Sequence, residues 1–141
     1  MSWGLTALLA LALAGCGDET KPATALAVSV KHDLGSELTG LRVRLYQASA
    51  DFHNPKTPLA SETVIPAADL AKPIVVTKGG ADEALVVVRG LNAQNAEIVE
   101  YAVRARFQDG KTIRVPVFLG AACKAKACTG TADTCHAEGA S

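Results

Sequence analysis

The chain has 141 residues, with 14 Lys or Arg balanced by 14 Asp or Glu, so its formal net charge is zero with neutral histidines. That length gives room for one domain, and the 49% apolar residues supply a core, but only 4% are aromatic, so small and β-branched side chains must fill it. A neutral chain without a Lys/Arg stripe lacks the electrostatic footprint of nucleic-acid binding, and that class of partner is excluded.

Met1 to Gly15 carry no charged side chain, and Leu5 to Leu13 is a run of Leu and Ala broken only by Thr6. The run is shorter than the roughly 20 apolar residues needed to span a bilayer, and has the length of a signal-peptide apolar region. Leu13-Ala14-Gly15-Cys16 follows directly. This tetrad resembles the lipobox of bacterial lipoproteins, whose small residues admit a membrane peptidase and whose cysteine sulfur carries a diacylglycerol. The resemblance implies removal of residues 1–15, lipid on Cys16 and acylation of the new amine. Several acyl chains, at about 0.8 kcal/mol per buried methylene, hold a protein stably on a bilayer. Gly17 stands where an Asp keeps some lipoproteins in the inner membrane, so the resemblance implies an outer-membrane address. Met1-Ser2-Trp3 departs from the pattern by lacking the usual Lys or Arg.

Residues 16–24 (CGDETKPAT) read as a short polar tether to a domain spanning residues 25–120. In that domain Leu26, Val28 and Val30 alternate with Ala27, Ser29 and Lys31, and Leu41, Val43 and Leu45 alternate with Arg42, Arg44 and Tyr46. Period-two alternation places one face in a core and the other in water. Residues 47–61, with Asp51, Asn54, Pro55 and Pro58, read as a long loop. Thr63-Val64-Ile65 is expected as a short edge strand ended by Pro66, and Ala67 to Lys72 as at most one helical turn.

Ile74 to Thr77 and Leu85 to Val88 are apolar runs that fit strands buried on both sides. Then Val99, Tyr101, Val103, Ala105 and Phe107 alternate with polar or small residues, as do Ile113, Val115, Val117 and Leu119 after Asp109-Gly110. Asp-Gly between two such runs predicts a hairpin. Pro116 cannot donate a ladder bond, which predicts an edge or a bulge. About seven strands and no convincing helix predict an all-β fold, an antiparallel β-sandwich. Strand number and spacing resemble immunoglobulin-, transthyretin- and fibronectin-type-III-like modules.

The tail, residues 121–141, carries Cys123, Cys128 and Cys135. In an exported protein these read first as disulfide cysteines, but with Cys16 committed to lipid the remaining three cannot all pair within one chain. The order Leu119, Cys123, Cys128, Thr134-Cys135 resembles the cysteine-rich endings of certain lipoproteins of myxobacteria and their relatives, with Ser141 where a last cysteine would stand. Crossed pairing in that resemblance implies a Cys123–Cys135 bond and a free thiol at Cys128; spacing alone does not fix the connectivity.

Catalytic signatures are missing. There is no G-x-S-x-G, H-E-x-x-H or phosphate-binding loop, and Gly79-Gly80 lacks the following helix a phosphate cradle needs. Cys123, Cys128, Cys135 and His136 could be zinc ligands, but adjacent Cys135 and His136 rarely close one tetrahedron, so no metal or other cofactor is expected. His32 and His53 read as ordinary loop histidines without an acidic partner at motif spacing. Asp82-Glu83 reads as a solvated turn, and Arg42, Arg44, Arg104, Arg106 and Arg114 as solubilising outward-facing charges.

The reading is therefore a non-enzymatic envelope module, held to the membrane through Cys16 and binding an unidentified protein or envelope ligand through the 47–61 loop or the tail. The alternative is a thiol-active or metal-binding accessory protein that uses the tail.

Overall fold

A computed structural model describes residues 22–124. The lipobox with Cys16, and Cys128, Cys135 and His136 of the tail, lie outside the described residues. Seven strands follow one another as β1 (Ala25–His32), β2 (Gly40–Gln47), β3 (Ser61–Pro66), β4 (Ile74–Thr77), β5 (Glu83–Leu91), β6 (Glu97–Arg106) and β7 (Thr112–Leu119). They form a sandwich of a three-stranded sheet, order β4-β1-β7, and a four-stranded sheet, order β3-β2-β5-β6.

The alternating apolar residues meet between the sheets. Leu26, Val28 and Val30 of β1 and Val115, Val117 and Leu119 of β7 face Leu41, Val43 and Leu45 of β2, Val86 and Val88 of β5, and Val99 of β6. Removing each such side chain from water contributes about 1.5–3 kcal/mol, which compensates for the scarcity of aromatic residues. Short 3-10 turns at Gly35–Glu37, Ala67–Asp69 and Ala121–Cys123 complete the regular structure among the described residues.

Four of the five strand pairings are antiparallel; β1 and β7 pair in parallel, from Ala25↔Thr112 to His32↔Leu119. Parallel neighbours need a crossover connection, and here the five intervening strands supply it. The β7 edge position expected from Pro116 is found: among the described residues β7 pairs only with β1, and Pro116 is exposed opposite Ser29. β3 is likewise an edge strand, ending at Pro66.

The expected hairpin between Val99–Phe107 and Ile113–Leu119 is not formed. β6 lies in the four-stranded sheet and β7 in the three-stranded one. The inward faces of both were identified correctly, but they oppose each other across the core. The turn explains the difference: a two-residue type I′ hairpin turn needs positive φ at both central residues, and only Gly110 has it, at φ 68°. The Lys111 N–H donates to the Gln108 carbonyl at 3.0 Å, the Phe107 N–H to the Asp82 carbonyl at 2.8 Å, and the Ala25 N–H to the Lys111 carbonyl at 3.1 Å. The chain thus leaves one sheet at Phe107 and joins the other at Lys111.

The two apolar runs also differ from each other. β5 is buried on both faces from Ala84 to Leu91, as expected. β4 is not: it lies at a sheet edge, and Val75 is 63% exposed. A run of β-branched residues does not reveal which of its faces finds a neighbour.

Candidate functional site

The outer face of the four-stranded sheet carries the buried charged residue, Arg89, and the longest loop among the described residues. Register places Arg42 and Arg44 of β2, Glu62 of β3, Arg89 of β5 and Glu100 of β6 on that face, with Arg42 directly opposite Arg89 and Arg89 opposite Glu100. Two cations directly opposite one another destabilise a sheet unless an anion intervenes. Glu97 supplies it, accepting from Arg42 Nη1 at 2.6 Å and from Arg89 Nη1 at 3.2 Å.

A β-bulge makes this possible. Gly90 pairs with Val99 but Leu91 with Glu97, so Ile98 is the extra residue. Ile98 and Val99 both pack on the core. The parity of the strand changes there, and Glu97 comes out on the same face as Glu100. Arg89 Nε donates to Glu100 Oε2 at 2.7 Å, and Arg44 Nε donates to Glu62. Arg89 is the buried charged residue of the described chain, at 9% exposure. Arg44 and Glu62 each favour the charged form of the other: the Glu62 carboxylate raises the Arg44 pKa, and the Arg44 guanidinium lowers that of Glu62.

Beside this network lies an apolar strip of Tyr46, Leu85, Val87 and Ala102, covered by Phe52 at 4% exposure. Phe52 comes from the 48–60 connection between β2 and β3. This is the long loop expected from its prolines, and it closes on itself through backbone hydrogen bonds from Ala50 to Gln47, Asn54 to Asp51 and Thr57 to Asn54. The Asp51 and Asn54 side chains accept from the His53 and Lys56 N–H groups, which is ordinary Asx-turn chemistry. Backbone turns and these two side-chain acceptors give a loop without ladder bonds a defined path.

His53 departs from its expected isolation. Its Nε2 lies 2.9 Å from Glu100 Oε1, and its ring stacks on Phe52 with centroids 4.1 Å apart. The partner is 47 residues away in sequence, so no motif spacing could have signalled it. Burial raises the Glu100 pKa, but hydrogen bonds from His53 and Arg89 outweigh burial and hold it below the ordinary carboxylate value. His32 ends β1 rather than occupying a loop. Asp82 and Glu83 take separate partners where the turn leads into β5: Asp82 pairs with Lys78, and Glu83 takes two donors from Arg106.

No family model, curated protein or solved structure matches the chain.

The two ends of the sandwich differ. At one end the Thr24 carbonyl accepts from Lys78 N–H at 3.0 Å and the Thr24 hydroxyl from Gly110 N–H at 2.9 Å. An open bowl of about 710 Å³ lies at the same end, lined by Gln47, Ser49, Asp82, Glu83, Arg106, Phe107 and Asp109 among others. At the other end the Ala121 N–H donates to Asp33 Oδ1 at 2.6 Å, and Lys124 pairs with Glu37. Cys123 sits there at 2% exposure, packed into the core with its sulfur engaged. Among the described residues no group of three or more His, Cys, Asp or Glu could hold a metal ion, and no helix is long and apolar enough to cross a membrane.

Proposed function

We propose that the protein is a non-catalytic envelope lipoprotein, anchored in the outer membrane by lipid on Cys16, that presents its sandwich to a protein or envelope ligand. The observation that carries the reading is the opposite placement of the two ends of the domain. The chain arrives at Thr24, fastened to the 78–82 and 107–111 loops, and leaves at Lys124, fastened beside Asp33 and Glu37. From Cys16 to Thr24 the chain can extend at most about 28 Å, at roughly 3.5 Å per residue, so the tether holds the Thr24 end toward the bilayer. The Cys123 end is displayed away from it, at a height set by strands of eight residues at about 3.3 Å each.

Pairing of opposite charges on the sheet faces supports the non-catalytic part. Arg42, Arg44 and Arg89 are matched by Glu62, Glu97 and Glu100, and Lys78 and Arg106 by Asp82 and Glu83. A general acid or base works from a poised, accessible group. Burial and engagement of Cys123 weigh against a thiol-active role and favour a structural disulfide; the pairing with Cys135, leaving Cys128 free, is part of the proposal.

Cys16→Ala tests the anchor. Expressed in a bacterium supplied with labelled palmitate, the wild-type chain should incorporate label and remain with carbonate-washed outer membranes, and Cys16→Ala should do neither. Equal membrane retention of an unlabelled Cys16→Ala chain would overturn the anchoring.

A further inference from the structure

We propose that the 48–60 loop is a strap over the apolar strip of the four-stranded sheet, fastened more tightly when His53 is protonated. Two attachments hold it to the sheet. Phe52 plugs the strip formed by Tyr46, Leu85, Val87 and Ala102, and His53 hooks Glu100 at 2.9 Å. The remaining hydrogen bonds of the loop run within itself or to its own flanks at Gln47 and Leu45. Releasing the hook and the plug together would bare the strip while leaving the ladder of β2, β5 and β6 intact.

The surroundings of His53 set the direction of the response. From β6 it faces Glu100, which is 14% exposed and uses its other oxygen to accept from Arg89 of β5. Glu97 and Arg42 complete the chain of charges behind Arg89. From its own loop Asp51 accepts the His53 backbone N–H, and Lys56 follows three residues on. Tyr46 of β2 and Arg104 of β6 share the outer face beyond the plug. The nearest charge is therefore an anion whose second cation sits on a separate oxygen. Glu100 stays ionised throughout the range in which imidazoles titrate, about pH 5 to 8. Gaining a proton turns a neutral hydrogen bond into a charge-assisted one.

Hydrogen exchange of the full chain, followed by mass spectrometry between pH 7.5 and 5.5, tests this. Rates are divided by the intrinsic exchange rate, and the amides of β2 and β5 serve as internal reference. Amides of residues 49–57 should open about twofold to fivefold less often at pH 5.5, the range expected of a partly exposed ion pair, while the reference amides stay level. His53→Gln keeps a donor for Glu100 but does not titrate, and should give a flat response. A flat wild-type response, a response retained in His53→Gln, or a parallel trend in the reference amides would each overturn the proposal.

Discussion

Gly90 is the position where the smallest change should cost the most. A Cβ built there would lie 2.6 Å from Val99 Cγ1, 2.8 Å from Leu38 Cδ1 and 3.6 Å from Leu119 Cδ1. The first two are closer than real side chains approach, and both atoms belong to buried residues. Leu38 can change rotamer, but Val99 is β-branched, sits on the paired strand and adjoins the bulge, so it has little freedom. Overpacking of a core costs about 1–3 kcal/mol, and alanine returns about 0.5–1 kcal/mol over glycine in backbone entropy. From the middle of each range, Gly90→Ala should therefore destabilise by about 1 kcal/mol, which for a domain near 100 residues lowers Tm by roughly 4–8 °C. Urea titration and thermal melting followed by circular dichroism measure both quantities. Val99→Ala alone should destabilise by leaving a void, yet combined with Gly90→Ala the losses should sum to less than the two singles, since each change fills or relieves the other. A Gly90→Ala chain as stable as wild type, or a strictly additive double variant, would refute the packing argument.

Arg89→Leu should destabilise by about 3 kcal/mol, read as a lower urea midpoint, because Glu100 and Glu97 are left without their shared buried cation. The pH response of Glu100 has a definite sign. Its folded pKa is lowered, so it contributes stability above the ordinary carboxylate value, and that contribution disappears as pH falls through the folded value. Melting temperature measured from pH 6 down to pH 2.5 should fall on acidification, and Glu100→Gln should flatten the part of the fall below about pH 4.3, the ordinary glutamate value. Val64→Thr should change stability by less than about 0.5 kcal/mol, whereas Val87→Ala on the same face should cost about 2 kcal/mol, since Val64 is 57% exposed and Val87 is fully buried.

How much of this was legible in the sequence depends on the range of each interaction. Alternation in β1, β2, β6 and β7 identified inward faces correctly, because burial of one face is a local property of a strand. The exposed edge at Pro116 was legible for the same reason: the missing N–H belongs to the residue itself. The β6–β7 relation was not, since Asp109-Gly110 permits a reversal within one sheet or a step between two. Long-range bonds to Asp82 and Ala25 decide between them. Arg89 follows the apolar run Leu85 to Val88 and carries no local mark of its partners, because Glu97 and Glu100 reach it only through the β5–β6 register. The link from His53 to Glu100 had no sequence signal; it depends on the path of a loop that brings together residues 47 apart in sequence.

The bulge, the buried arginine and the strap form one physical arrangement. Without the extra residue Ile98, Glu97 would point into the core and Arg42 would stand opposite Arg89 with no anion between them. Arg89 would keep Glu100, which stands opposite it in the ladder, but would lose Glu97, the anion it shares with Arg42. Glu100 also holds His53, and His53 stacks on Phe52. A backbone irregularity of one residue therefore completes the charge pattern around Arg89, and Glu100 in that pattern holds the loop whose aromatic plug covers Leu85 and Val87. The four-stranded sheet covers the Leu85 and Val87 strip of its outer face with its own β2–β3 loop, whereas the three-stranded sheet leaves Val75 exposed on its edge strand.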